Sequence, residues 1–71
     1  MIDSFDIFVV GSIDPEWLGC AQTLPQALEM IRESGTGAYI AFSQITECNN
    51  FYVVGPDGEL SLVGKQSQVV Q

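Results

Sequence analysis

Thr23-Leu24-Pro25-Gln26-Ala27-Leu28-Glu29-Met30-Ile31-Arg32-Glu33-Ser34-Gly35 is the clearest helical stretch in this 71-residue chain. Thr23 and Gln26 have the spacing of a capping box, in which the hydroxyl accepts from a free backbone N–H and the amide reaches back. Pro25 fits the first turn, where its missing N–H has no partner to lose. Leu24, Ala27, Leu28 and Ile31 recur at helical spacing and form one apolar stripe, with Glu29 and Glu33 on the wet side. Gly35 suits the left-handed closing position. The spacing predicts a helix of about three turns, from Leu24 to about Ser34.

The segments on either side read as strands. On the N-terminal side, Ser4-Phe5-Asp6-Ile7-Phe8-Val9-Val10 is rich in aromatic and β-branched residues. Gly11 to Pro15 forms a loop, and Glu16-Trp17-Leu18-Gly19-Cys20-Ala21 is a shorter strand that a tight connection pairs with the first. On the C-terminal side come Ala38 to Gln44, a polar turn around Thr46 to Asn50, and a strand at Phe51-Tyr52-Val53-Val54. Gly55-Pro56-Asp57-Gly58 is a β-turn signal with Pro56 presetting the first corner. Glu59 to Val63 reads as a short fifth strand. The order ββαββ(β) lacks the alternation of a parallel α/β fold. The expected fold is therefore α+β: an antiparallel sheet of four to five strands with one helix packed on one face. Residues 1–63 form the single domain, and the Gln-rich residues 64–71 are expected as a loosely ordered tail.

Phe5-Asp6-Ile7-Phe8, Trp17-Leu18-Gly19, Leu24 to Ala27 and Gly37-Ala38-Tyr39-Ile40 together resemble a group of small bacterial ββαββ domains of unknown function. That pattern combines a Tyr/Phe-Asp/Glu-Ile-Phe strand, a Trp-Val-Gly strand, a helix opening Ser-Leu-Glu-Glu-Ala and a Gly-Glu-Tyr strand. The chain departs from it at Pro25-Gln26 and at Ala38, where the group has Glu. The resemblance implies the order of elements and no activity. The strand hairpin before a capped helix is also similar to HicB-type antitoxin domains, although those place three strands before the helix.

Nine acidic residues against two basic ones give a net charge of −7. A nucleic-acid surface concentrates Lys and Arg. Only Arg32 and Lys65 are present, so nucleic acid and anionic membrane are poor expected partners. The apolar run Ile7 to Val10, like every other in the chain, is far shorter than the roughly 20 residues of a membrane helix. Met1-Ile2-Asp3-Ser4 lacks the basic start of a secretory signal, which makes the cytoplasm the expected location.

The chain contains no histidine, which removes the commonest general base and metal ligand and excludes Ser-His and Cys-His nucleophile systems. Cys20 and Cys48 match no zinc spacing and read as small half-buried thiols. Asp14 and Glu16 flank Pro15, and Asp57 and Glu59 flank Gly58. Both acid pairs fall at turns, where Asp serves the backbone. The expectation is no catalysis, no cofactor and no metal. Trp17 reads as area for the core or its edge.

Such an apolar chain makes more sheet surface than one short helix can cover. With Phe5, Ile7, Val9, Ile40, Phe42, Phe51 and Val53 taken as the face under the helix, the opposite face carries Phe8, Val10, Tyr39, Ala41, Tyr52 and Val54. An apolar, nearly uncharged patch of that kind marks an interface. The expected function is therefore a small protein-interaction domain, homodimeric through the helix-free face. The alternative is an acidic inhibitor, antitoxin-like or nucleic-acid-mimicking protein that meets a basic protein partner through Asp14, Glu16, Asp57 and Glu59. A small-molecule groove between copies, lined by Tyr39 and Tyr52, is a third reading.

Overall fold

The computed structural model describes residues 3–11 and 13–67. The elements are β1 (Phe5–Val9), β2 (Glu16–Ala21), α1 (Leu24–Ser34), β3 (Gly37–Ser43), β4 (Cys48–Val54) and β5 (Leu60–Ser67). All five strands join one antiparallel sheet in the order β2-β1-β3-β4-β5. This is the expected α+β fold. Both β2 and β3 run antiparallel to β1, so α1 carries the chain across β1 from one side to the other.

The helix begins and ends where its caps dictate. Thr23 Oγ1 accepts from the Gln26 N–H at 3.3 Å, and Gln26 Oε1 reaches back to the Gln22 N–H at 3.1 Å. Gly35 closes the helix with φ +96°, a conformation that a side chain disfavours, and its N–H bonds the Arg32 carbonyl. Ala27 and Ile31 are fully buried, with Leu28 and Met30 packed at the flanks. Leu24, expected in the apolar stripe, is 39% exposed. Met30 takes its share of the contact: an ideal Cβ on Gly19 would lie 2.9 Å from Met30 Cε, so the bare glycine on β2 makes room for the thioether methyl.

The core under the helix consists of Phe5, Ile7, Ala21, Ala27, Ile31, Tyr39, Ala41, Tyr52 and Val54. The β1 half of the expected inward set is correct, and the β3 and β4 half is reversed. Tyr39, Ala41, Tyr52 and Val54 lie on the helix side and are at most 7% exposed, while Ile40, Phe42, Phe51 and Val53 face the other way. The reversal has a local cause. Tyr39 is buried because its hydroxyl donates to the Gly35 carbonyl at 2.8 Å, which satisfies the polar tip beside the helix C-cap. Pairing then places Tyr52 opposite Tyr39 on the same face.

β5 also runs further than the expected domain boundary at residue 63. Lys65, Gln66 and Ser67 pair with Asn50, Asn49 and Cys48. The polar composition of this stretch reflects an edge strand held by its backbone ladder rather than by apolar burial. The remainder of the expected tail, residues 68–71, lies outside the described residues.

Asp3 fastens the lower end of the sheet. Its carboxylate accepts from Ser43 Oγ at 2.7 Å, from the Ser4 N–H at 2.7 Å and from the Ile45 N–H at 3.3 Å. The Ser43 hydroxyl, with the two backbone N–H groups, holds the Asp3 carboxyl below its ordinary value, against a smaller opposing effect of burial. Burial of Tyr52 raises its phenol above the ordinary value.

Candidate interaction surface

Alternation along the strands and the register between them define the helix-free face row by row. The central row runs across all five strands as consecutive partners: Trp17, Phe8, Ile40, Phe51 and Gly64. One neighbouring row is Cys20, Asp6, Phe42, Asn49 and Gln66. On the other side, the Val10 N–H bonds the Ala38 carbonyl at 2.9 Å, and Ala38 pairs with Val53, which pairs with Ser61.

Phe8, Ile40, Phe42 and Phe51 are half-buried, whereas Trp17 at the β2 edge is 60% exposed. Trp17 is therefore not core, contrary to expectation. It lies opposite Phe8, because a register shift between Ile7 and Phe8 separates it from Gly19, which faces the helix. At the β5 end the Phe51 ring would stand 3.8 Å from a Cβ built on Gly64.

Of the expected interface residues, Phe8 and Val10 lie toward this face, with Val10 42% exposed just beyond the end of β1. Tyr39, Ala41, Tyr52 and Val54 belong to the core and leave the candidate site, and Tyr39 and Tyr52 face the helix side rather than a groove on this face. Trp17, Ile40, Phe42, Phe51 and Val53 replace them.

Charge is distributed unevenly between the faces. Asp6 is the one carboxylate among the face's strand positions, and it accepts from Gln44 Nε2 at 2.8 Å. The other eight acids lie in loops and turns, on the helix, or at Glu16, which pairs with Val9 toward the helix side. Asp14, Glu16, Asp57 and Glu59 all fall at the end of the sheet where β1 and β4 finish. The two pairs sit on separate hairpins, with Asp14 and Glu16 toward the β2 edge and Asp57 and Glu59 toward the β5 edge. Asp57 is committed to its turn, where Oδ1 accepts from the Glu59 N–H at 3.0 Å.

Cys20 and Cys48 are both free. They occupy β2 and β4 with two strands between them, which sets them about 14 Å apart at normal strand spacing. That is well beyond the roughly 7 Å Cα limit for a disulfide within one chain. Among the described residues, no group of three His, Cys, Asp or Glu side chains could hold a metal ion, and no helix is long and apolar enough to cross a membrane. No protein-family model, curated protein or solved structure compared with the chain gives a significant match.

Proposed function

We propose that this protein is a non-enzymatic interaction domain that homodimerises through the helix-free sheet face. One observation carries the reading: an unbroken apolar row, Trp17-Phe8-Ile40-Phe51, crosses a face that holds one of the chain's nine carboxylates. Acidic side chains elsewhere keep the molecule dispersed, and the nearly uncharged face lets two copies approach without bringing many like charges together. The size is adequate. Five strands spaced about 4.8 Å apart, each about six residues long at about 3.4 Å, present roughly 500 Å² in projection. Two such faces bury on the order of 1,000 Å² or more once side-chain relief is included, the lower bound for a specific interface. This reading needs no cofactor or metal and places the domain in the cytoplasm, where both thiols stay reduced.

Sedimentation across a concentration series tests the reading. The wild type should dimerise at micromolar to submillimolar concentration with little dependence on salt. The Phe8→Glu/Ile40→Glu variant should sediment as a folded monomer. A wild type that stays monomeric at several hundred micromolar rejects the proposal.

The alternative, an acidic inhibitor, antitoxin-like protein or nucleic-acid mimic, draws on the placement of Asp14, Glu16, Asp57 and Glu59 at one end of the sheet. It predicts capture of a basic protein that weakens steeply with ionic strength, which an apolar interface does not do.

A further inference from the structure

We infer that the two-fold axis of this homodimer lies between the sheets along β3, so that Trp17 of each copy seats over the partner's Gly64. This rests on the homodimer reading above. Identical sheets meeting face to face are related by an axis in the plane of contact, and packed sheets keep their strands nearly aligned. The axis can therefore run across the strands or along them.

An axis across the strands and through the central row stacks each residue of that row on its own copy. Trp17 would then crowd Trp17 at one edge, while Gly64 faced Gly64 at the other and left a void. An axis along β3 exchanges the edges. The most exposed side chain of the row meets the one position without a side chain, Phe8 meets the partner's Phe51, and Ile40 meets its copy on the axis.

The neighbouring row agrees independently. The same exchange sets Asp6 over the partner's Asn49, whose amide can donate to the carboxylate, and Cys20 over the partner's Gln66, while Phe42 meets its copy near the axis.

A side chain at position 64 meets no steric bar within the chain's described residues. Among the described residues a Cβ there would meet the Phe51 ring at an ordinary 3.8 Å, and the backbone is not left-handed. Gly64 adjoins the bulge at Val63, and with no side chain of its own it leaves room on this face for a large side chain of another molecule.

Charge exchange tests the axis. W17K and G64E should each weaken dimerisation at least tenfold. The double variant W17K/G64E should dimerise at least tenfold more tightly than either single variant, because each introduced cation meets an introduced carboxylate of the other copy. Positions 17 and 64 lie on opposite sheet edges, about 19 Å apart, so the pair cannot form within one chain. Carbodiimide treatment of the double variant should join positions 17 and 64 between chains. Mixed W17K and G64E chains should form a heterodimer tighter than either variant's homodimer, which tests the geometry even where the double variant fails to fold. If the wild type dimerises but neither the double variant nor the mixture gains affinity, the axis is wrong and the homodimer stands. A monomeric wild type overturns both.

Discussion

Tyr39 decides which face of β3 is core, and replacing it tests the packing directly. Its side chain is 2% exposed, and its hydroxyl donates to the Gly35 carbonyl at the end of α1. Tyr39→Phe removes that one hydrogen bond and should cost about 1 kcal/mol. Tyr39→Ala also empties the space of a buried ring, a loss of about 3–5 kcal/mol for aromatic truncations. A domain of this length is stable by only about 4–10 kcal/mol, so Tyr39→Ala should consume a third or more of the total. Val53→Ala is the matched control: it lies on β4, faces the other way and is 38% exposed, and it should cost less than about 1.5 kcal/mol. Urea unfolding followed by far-UV circular dichroism, at one fixed protein concentration low enough to keep the chain monomeric, gives all three values. If Tyr39→Ala costs no more than Val53→Ala, the assignment of faces is refuted, and the interaction surface falls with it.

Two further outcomes follow from the backbone and the termini. The Asp3 carboxyl is held below its ordinary value in the folded state, so the stability it contributes is present above the unfolded value, near pH 3.8, and is lost as pH falls through the folded value. Asp3→Asn should therefore lower the melting temperature at pH 6 and flatten its decline below pH 4; parallel curves for the two proteins would refute this. Glu47 ends the β3–β4 turn with φ +52°, a conformation that L side chains adopt at a cost. Glu47→Gly should raise stability by about 0.5–1 kcal/mol in the same urea assay, and a decrease would show that the turn prefers its side chain.

The legibility of this fold in its sequence differs element by element. Thr23, Pro25, Gln26 and Gly35 are local signals with local causes, and they place α1 at Leu24–Ser34. β1 was legible because Asp6 breaks one of its faces, which leaves Phe5, Ile7 and Val9 as the inward set. β3 and β4 carry no such marker. Ala38-Tyr39-Ile40-Ala41-Phe42 is apolar at every position, so alternation gives two equivalent solutions one residue apart. On size and apolarity alone the aliphatic and phenyl side chains are the core set, but the partner that Tyr39 finds in Gly35 reverses the choice. The candidate surface inherited that error: the presence of an uncovered apolar face was legible, whereas most of its members were not. Trp17 was misplaced for a related reason. Its neighbour Gly19 faces the helix to admit Met30, and a register shift then leaves Trp17 on the opposite side; a shift of that kind has no signature in local composition.

The same irregularity recurs at the other margin of the sheet. β1 and β2 slip register between Ile7 and Phe8, and β4 and β5 slip between Phe51 and Tyr52, which leaves Leu18 and Val63 as the extra residues in the two outermost strands. A slipped strand is bent and coiled, so its free N–H and C=O groups no longer form an even row that another strand can copy. Both edges are thereby poorer templates for lateral growth. Concentrated solutions should remain clear and free of fibrils.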